Sequence, residues 1–303
     1  MISITITTNQ HHSKAHMGRI LLANKGVIYF MNKTIICPVD FSEASLNAIE
    51  YAAKLAQAMN GELKILNVQS LFSEMVLAGN SEGSTSRSVL TNNKLREISD
   101  ETNKMFKISC TYDIEVTQAS LHKTIAGKAN ENNLIVMGTN GIDDLYQYFF
   151  GTNIYNVIKK SKCPVLIVPE DVSYGAPAKI VFAWDYNSRN KFSFDKMEEF
   201  WNVFKPELVF LHASKHKTEI SKDVFKALRE EVIETIGNKS NVEFEQLYTD
   251  DIAESIDHYM NESKANMLVL TLYEHSLIRN IIGHPVMQTL SSIANYPVMV
   301  LHA

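Results

Sequence analysis

The chain has 303 residues, 45% hydrophobic and 21% charged, which suffices for about two domains and argues for a packed core rather than a disordered polymer. Lys plus Arg number 29 against 34 Asp plus Glu, a net charge of −5 without a basic stripe, and this argues against a dedicated nucleic-acid binder. Cys37, Cys110 and Cys163 are too scattered for a disulfide framework or a zinc cluster and suit a reducing cytoplasm, and no run nears the ~18 apolar residues of a membrane-spanning helix.

Residues 1–30 hold no Asp or Glu and carry His11, His12 and His16. Gly26–Met31 is too short for a secretory signal, and no Cys or carboxylate stands near the histidines to complete a metal site. This segment reads as a disordered extension, with structure beginning near Met31.

From there the patterns alternate. Thr34–Val39 is an apolar strand. Ser42 is a helix N-cap, followed by Leu46, Ile49, Ala53 and Ala56 at helical spacing, and Asn60-Gly61 closes that helix. Leu63–Val68 is a second strand, and Ser70–Ser88 is a Ser/Gly-rich insertion. Leu90–Phe106 reads as a polar amphipathic helix, Asp113–Thr117 as a strand and Ser120–Asn130 as a helix. Leu134–Met137 is a strand, Thr152–Lys160 a helix and Val165–Val168 a final strand, after which Pro169–Pro177 forms a linker.

The pattern then recurs. Lys33–Asp40 matches Lys179–Asp185, with Asp40 and Asp185 145 apart, and Glu62–Val68 matches Glu207–Ala213 at the same offset of 145. Leu134–Met137 matches Met267–Leu270 and Cys163–Val168 matches Tyr296–Leu301, both at 133. The leading copy therefore carries about a dozen extra residues between its second and fourth strands. Five strands alternating with helices in each copy imply an α/β layer fold with a largely parallel sheet, and right-handed crossovers place helices on both faces. The predicted organisation is an extension over 1–30, one domain over 31–170 and a second over 177–303.

In such sheets ligands bind beyond the carboxyl ends of the strands. Two features of the leading copy lie there. One is Asp40, an acceptor for a ribose hydroxyl or a base N–H. The other is Gly138-Thr139-Asn140-Gly141, then nine residues, then Gly151-Thr152-Asn153 opening a helix. Glycines admit close backbone approach, and a helix start offers unpaired N–H groups, so this composition suits phosphate. The Thr139 and Thr152 hydroxyls are further donors. Neither a Walker A motif nor a dinucleotide fingerprint is present.

These residues carry a resemblance. The opening KTIICPVDFSEASLNAIEYAAKLA, the second strand ending in Val68 and the run MGTNGIDDLYQYFFGTNIYNVIKKSKCPVLIVPE are similar to a universal stress protein domain. Gly138, Gly141, Gly151 and Thr152 reproduce the G-x2-G-x9-G-(S/T) pattern of the nucleotide-binding members. Residues 177–303 resemble the family more weakly, so the whole looks like a tandem member. The resemblance implies two doubly wound domains, each a five-stranded parallel sheet of order 3-2-1-4-5. It implies ATP or AMP as ligand, with Mg accompanying the phosphates. Pro38, Val39 and Asp40 fall on the adenine and ribose side, and Val68 packs on the base. Met137 and Gly138 run along the nucleotide, while Gly141, Gly151, Thr152 and Asn153 meet the phosphates. Ile154 stands where the family often has a hydroxyl, which implies one phosphate contact fewer.

The trailing copy departs further. Asp185 persists, but Thr271 stands for Gly138 and Glu274 for Gly141, and Gly283 is followed by His284 and Pro285. A Glu repels phosphate and a Pro removes an N–H, so this copy is expected not to bind ATP in the same way. Arg279 and His284 read as surface residues. The family pairs subunits through its last strand, which implies that Val165–Val168 and Val298–Leu301 pair within this chain as a pseudo-dimer, with a homodimer as a further assembly.

No catalytic set is evident. Cys37 and Cys163 read as buried apolar residues, and His122, His212, His258 and His275 stand singly. Asp143-Asp144 and Asp250-Asp251 are adjacent and solvent-facing rather than metal-sharing. The expectation is a cytoplasmic, nucleotide-binding regulatory protein of the stress response that acts on a protein partner and is not an enzyme. The alternative is a nucleotide-free interaction scaffold with vestigial pockets.

Overall fold

Ile35, Ile36 and Cys37 point to alternate faces of one strand, yet all three are buried, so that strand must be covered on both sides. A computed structural model shows how. It describes residues 33–71, 83–139, 152–183, 198–215, 222–236, 241–272 and 294–302. The expected extension over 1–30 lies outside the described residues.

The leading half runs β1 (Thr34–Pro38), α1 (Glu43–Met59), β2 (Glu62–Ser70), α2 (Gly83–Phe106), β3 (Ser109–Thr117), α3 (Leu121–Lys128), β4 (Leu134–Thr139), α4 (Thr152–Lys160) and β5 (Val165–Pro169). The trailing half runs β6 (Lys179–Ala183), α5 (Glu198–Phe204), β7 (Glu207–Ser214), α6 (Lys222–Ile236), β8 (Val242–Tyr248), α7 (Ile252–Ser263), β9 (Met267–Leu272) and β10 (Val298–His302). The sheet order is β3-β2-β1-β4-β5-β10-β9-β6-β7-β8. Each half thus has the order 3-2-1-4-5 with parallel pairing throughout.

The two sheets are not separate. β5 and β10 pair antiparallel, with Ile167 opposite Val298, Leu166 opposite Met299 and Val165 opposite Val300. All six side chains are buried. Leaving side chains of this size in water costs roughly 1.5–3 kcal/mol each, which is why two apolar edges close on one another. The cores are continuous across this seam. On one face α1, α2, α5 and α6 cover Leu166, Val168, Met299 and Leu301 together with both sets of central strands. On the other, α3, α4 and α7 cover Val165, Ile167, Val298 and Val300. The outer edges are β3 and β8, and β3 is guarded by charge: Lys128 lies 2.5 Å from Glu115 and 3.5 Å from Asp113.

The linker is pinned at both ends. Asn47 of α1 donates to the carbonyls of Pro169 and Val172 at 2.9 and 3.0 Å. Asn266 donates to Ala176 O at 2.8 Å and accepts from the N–H groups of Ala178 and Lys179. Tyr174 between them sets its ring edge-on to Tyr51, 5.0 Å away.

Two boundaries differ from the sequence expectation by more than two residues. α2 begins at Gly83 rather than Leu90, so the end of the Ser-rich insertion is helical. Val89 and Leu90 are exposed and mark no inward face, which hid the start of the helix. With 24 residues against 15 in its counterpart α6, α2 absorbs much of the extra length of the leading half. β3 begins at Ser109 rather than Asp113 because Asn103 of α2 exchanges hydrogen bonds with the Cys110 backbone, both 2.8 Å, a restraint that no alternation pattern reveals.

Leu166→Ala is expected to cost about 2–5 kcal/mol. Because its core spans both halves, urea unfolding should move as one cooperative transition; two transitions, only one of them shifted, would contradict the shared core.

Candidate functional site

The carboxyl ends of β1 and β4 lie side by side, since Ile35 pairs with Leu134 and Ile36 with Ile135. Pro38 ends β1 and is half-buried. Val39 is buried and its N–H donates to Leu66 O at 2.9 Å, extending the ladder with β2 by one residue. The Val39 carbonyl accepts from Asn67 Nδ2 at 2.9 Å, and Asn67 Oδ1 accepts from Gln69 Nε2, also at 2.9 Å.

Asp40 is exposed. Its Oδ1 accepts from Ser42 N–H at 3.0 Å and from Ser42 Oγ at 2.6 Å. Partial desolvation pushes its pKa up, but the hydrogen bonds from the Ser42 side chain and backbone, aided by Ser45, outweigh it and hold the carboxyl below its usual range. Ser42 is also the N-cap of α1: Ser45 N–H donates to its Oγ at 3.2 Å, and Ser45 Oγ donates to its carbonyl at 3.0 Å. Phe41 between them has φ 68°, a left-handed conformation that costs a bulky side chain energy. It is held from two sides, packed on the core and capped by Lys94 Nζ of α2, 4.4 Å from the ring centroid.

Gly138 lies in β4 opposite Val168. A Cβ there would stand 2.1 Å from Ala44 O and 2.9 Å from Ser45 N. Only a glycine lets the first turn of α1 lie against the end of β4. Met137 beside it is buried, and Val68 at the end of β2 is half-buried against the same core. Thr152 and Asn153 are the first two residues of α4. Ile154 is buried in the core beneath α4 with Val157 and Ile158. Gly141 and Gly151 lie outside the described residues, so Pro38, Val39, Asp40, Val68, Met137 and Gly138 are the expected residues that the structure brings to one edge.

In the trailing half Thr271 is buried in β9. It carries a Cβ where Gly138 has none. Asp185, Glu274, Arg279, Gly283, His284, Pro285 and His275 lie outside the described residues. Burial pushes the Cys37 thiol up strongly and the Cys110 thiol to about 11, so neither is a nucleophile near neutral pH. Cys163 is likewise buried. Among the described residues no three His, Cys, Asp or Glu side chains gather to hold a metal, and no helix is long and apolar enough to cross a membrane.

Three residues that shape this edge were not anticipated: Asn67, Lys94 and Gln69. The repeat held a signal for the first, since it aligns Asn67 with His212.

Comparison with known proteins agrees with this arrangement. Residues 31–169 match the model of the universal stress protein family. A universal stress protein of Methanocaldococcus jannaschii is 29% identical over 143 residues, which cover 45% of this chain and 81% of the relative. The crystal structure of a universal stress protein from Archaeoglobus fulgidus superposes with TM-score 0.71 at 19% identity, covering 90% of this chain and 99% of that one. A functionally unknown protein from Pseudomonas aeruginosa gives TM-score 0.53 at 16% identity, over 89% and 92% of the two chains. These structural likenesses reach across both halves and speak to the fold alone.

Gly138→Ala should destabilise the chain by about 1–3 kcal/mol, because backbone rather than a movable side chain stands in the way; denaturant titration measures it. The Asp40 carboxylate is favoured in the folded state. The stability gap between wild type and Asp40→Ala should therefore be full above the unfolded value of about 3.9 and close as pH falls through the lower folded value, read from urea melts at successive pH values.

Proposed function

We propose, from the match of residues 31–169 to the model of the universal stress protein family, that the leading half binds an adenine nucleotide, ATP or AMP, and that this ligand regulates the protein's dealings with a partner protein in the cytoplasm. The observation that carries the reading is the meeting of Asp40 and Gly138 at neighbouring strand ends, with the remaining glycines of the G-x2-G-x9-G-T pattern following Gly138 and α4 starting at Thr152.

The donor set fits such a ligand. Both bonds from Ser42 fall on Oδ1 of Asp40, so Oδ2 is the oxygen to meet a ribose hydroxyl. Val68, half-buried, and Met137 present an apolar surface for the base. Thr152 opens a nine-residue helix, whose first N–H groups suit phosphate, as do the backbone amides of Gly141 and Gly151. Mg would accompany the phosphates as a counter-ion held by them. With Ile154 committed to the core, the helix start offers one hydroxyl fewer, which favours a weaker ATP contact or AMP.

The trailing half does not bind nucleotide in this mode. Thr271, Glu274 and Pro285 replace the residues that would make the cradle. The protein acts by binding rather than catalysis; steady ATP turnover lost in Asp40→Ala would overturn that. One observation favours the alternative of a nucleotide-free scaffold: packing alone requires Gly138, whether or not a ligand is bound.

Denaturing the purified chain and chromatographing the supernatant separates the two. Adenine nucleotide should be released, or titrated ATP should bind, and Gly141→Glu should abolish either. An empty supernatant with no titratable binding would leave the scaffold.

A further inference from the structure

We propose that Asn67 is the positioning residue of the leading half's site, fixing Asp40 by holding the carbonyl of Val39. The claim rests on the nucleotide reading only for what Asp40 meets.

Asp40 has no sheet partner of its own. It follows the last ladder residue, Val39, and precedes a residue in the left-handed region. Its direction is therefore set by the peptide that joins it to Val39 and by Ser42 on its far side. The Val39 N–H is held by Leu66 O, which fixes one end of that residue. The carbonyl belongs to the peptide leading into Asp40, and Asn67 Nδ2 is its partner at 2.9 Å. Asn67 is 6% exposed, so its amide has little freedom, and Gln69 Nε2 donates to Oδ1 and selects the orientation that points Nδ2 at Val39. A chain of hydrogen bonds thus runs from Gln69 through Asn67 to Val39, and on the other side of the peptide from Asp40 through Ser42 to the start of α1. Asp40 is gripped between β2 and α1.

The repeat supplies a second observation. In β7 the position of Asn67 is taken by His212, which is 1% exposed. Both halves bury a side chain able to donate from nitrogen at this place, where strand patterning alone asks for an apolar residue. Histidine therefore provides a conservative replacement already tolerated by the same architecture.

The test uses the full chain and the variants Asn67→Leu, Asn67→His and Gln69→Leu. In the ligand-free state the Asp40 carboxyl is titrated by carbon-13 NMR. Asn67→Leu should move its midpoint up toward the ordinary carboxylate value, Gln69→Leu should move it in the same direction by less, and Asn67→His should leave it near wild type. A bond that merely satisfied a buried carbonyl would lower the melting temperature without moving this midpoint. With ATP as the probe, Asn67→Leu should weaken binding about tenfold, and that loss should shrink to about twofold or less in an Asp40→Ala background, since the two residues act through one contact. An unmoved Asp40 midpoint in both leucine variants, or an equal ATP loss with and without Asp40, overturns the proposal. Should Asn67→Leu fail to fold, Gln69→Leu decides alone, because Gln69 is only half-buried. If the wild-type chain takes up neither ATP nor AMP, the nucleotide reading fails by itself, and the Asp40 titration still decides the role of Asn67.

Discussion

Helix α1 comes so near to strand β4 that its Ala44 carbonyl occupies the space where any side chain at position 138 would begin. Backbone meets backbone there, and much of the edge follows from it. The approach brings Ser42, the N-cap of α1, over the junction of β1 and β4, and with it the Asp40 carboxylate that Ser42 holds. A bulkier residue at 138 would lift the start of the helix and carry both away. In the trailing half Thr271 has made that substitution, and it is buried where it stands. At this position the two halves therefore differ in bulk.

The same edge shows a balance between strain and restraint. Phe41 adopts a backbone conformation that would suit glycine better, and such strain persists only where neighbours over-determine it. Here they do: the ring packs on the core, Lys94 caps its face, and the hydrogen bonds at Val39 and Ser42 fix the chain on both sides. Lys94 belongs to α2, so the loop that carries Asp40 is tied to that 24-residue helix as well as to β2 and α1.

Much of this was legible in the sequence, and what was not has physical reasons. Strands buried on both faces announce themselves as continuous apolar runs, so β1, β4 and β5 are plain in the sequence, as is α1 with Ser42 before it and Asn60-Gly61 after it. The repeat marked the second set of strands by their spacing. The start of α2 was obscured because Val89 and Leu90 face solvent, and the start of β3 because side-chain bonds from Asn103, not periodicity, define it. At the site, Asp40 and Gly138 were found by position and composition. The reason for Gly138 was not: sequence suggests bareness for a ligand, whereas the geometry shows a close helix. Asn67 was missed because a polar residue inside an apolar strand reads as noise until its partner, a backbone carbonyl with no signature of its own, is seen.

The antiparallel seam between β5 and β10 has a consequence for how such a molecule can change over generations. Two identical subunits joined through the same strands would feel every mutation twice, once on each side of the twofold, so neither site could drift without the other. Here the two partners are written separately in one gene product. A threonine at 271 leaves the glycine at 138 untouched, and one member of the pair is at liberty to specialise while the other keeps its inherited shape.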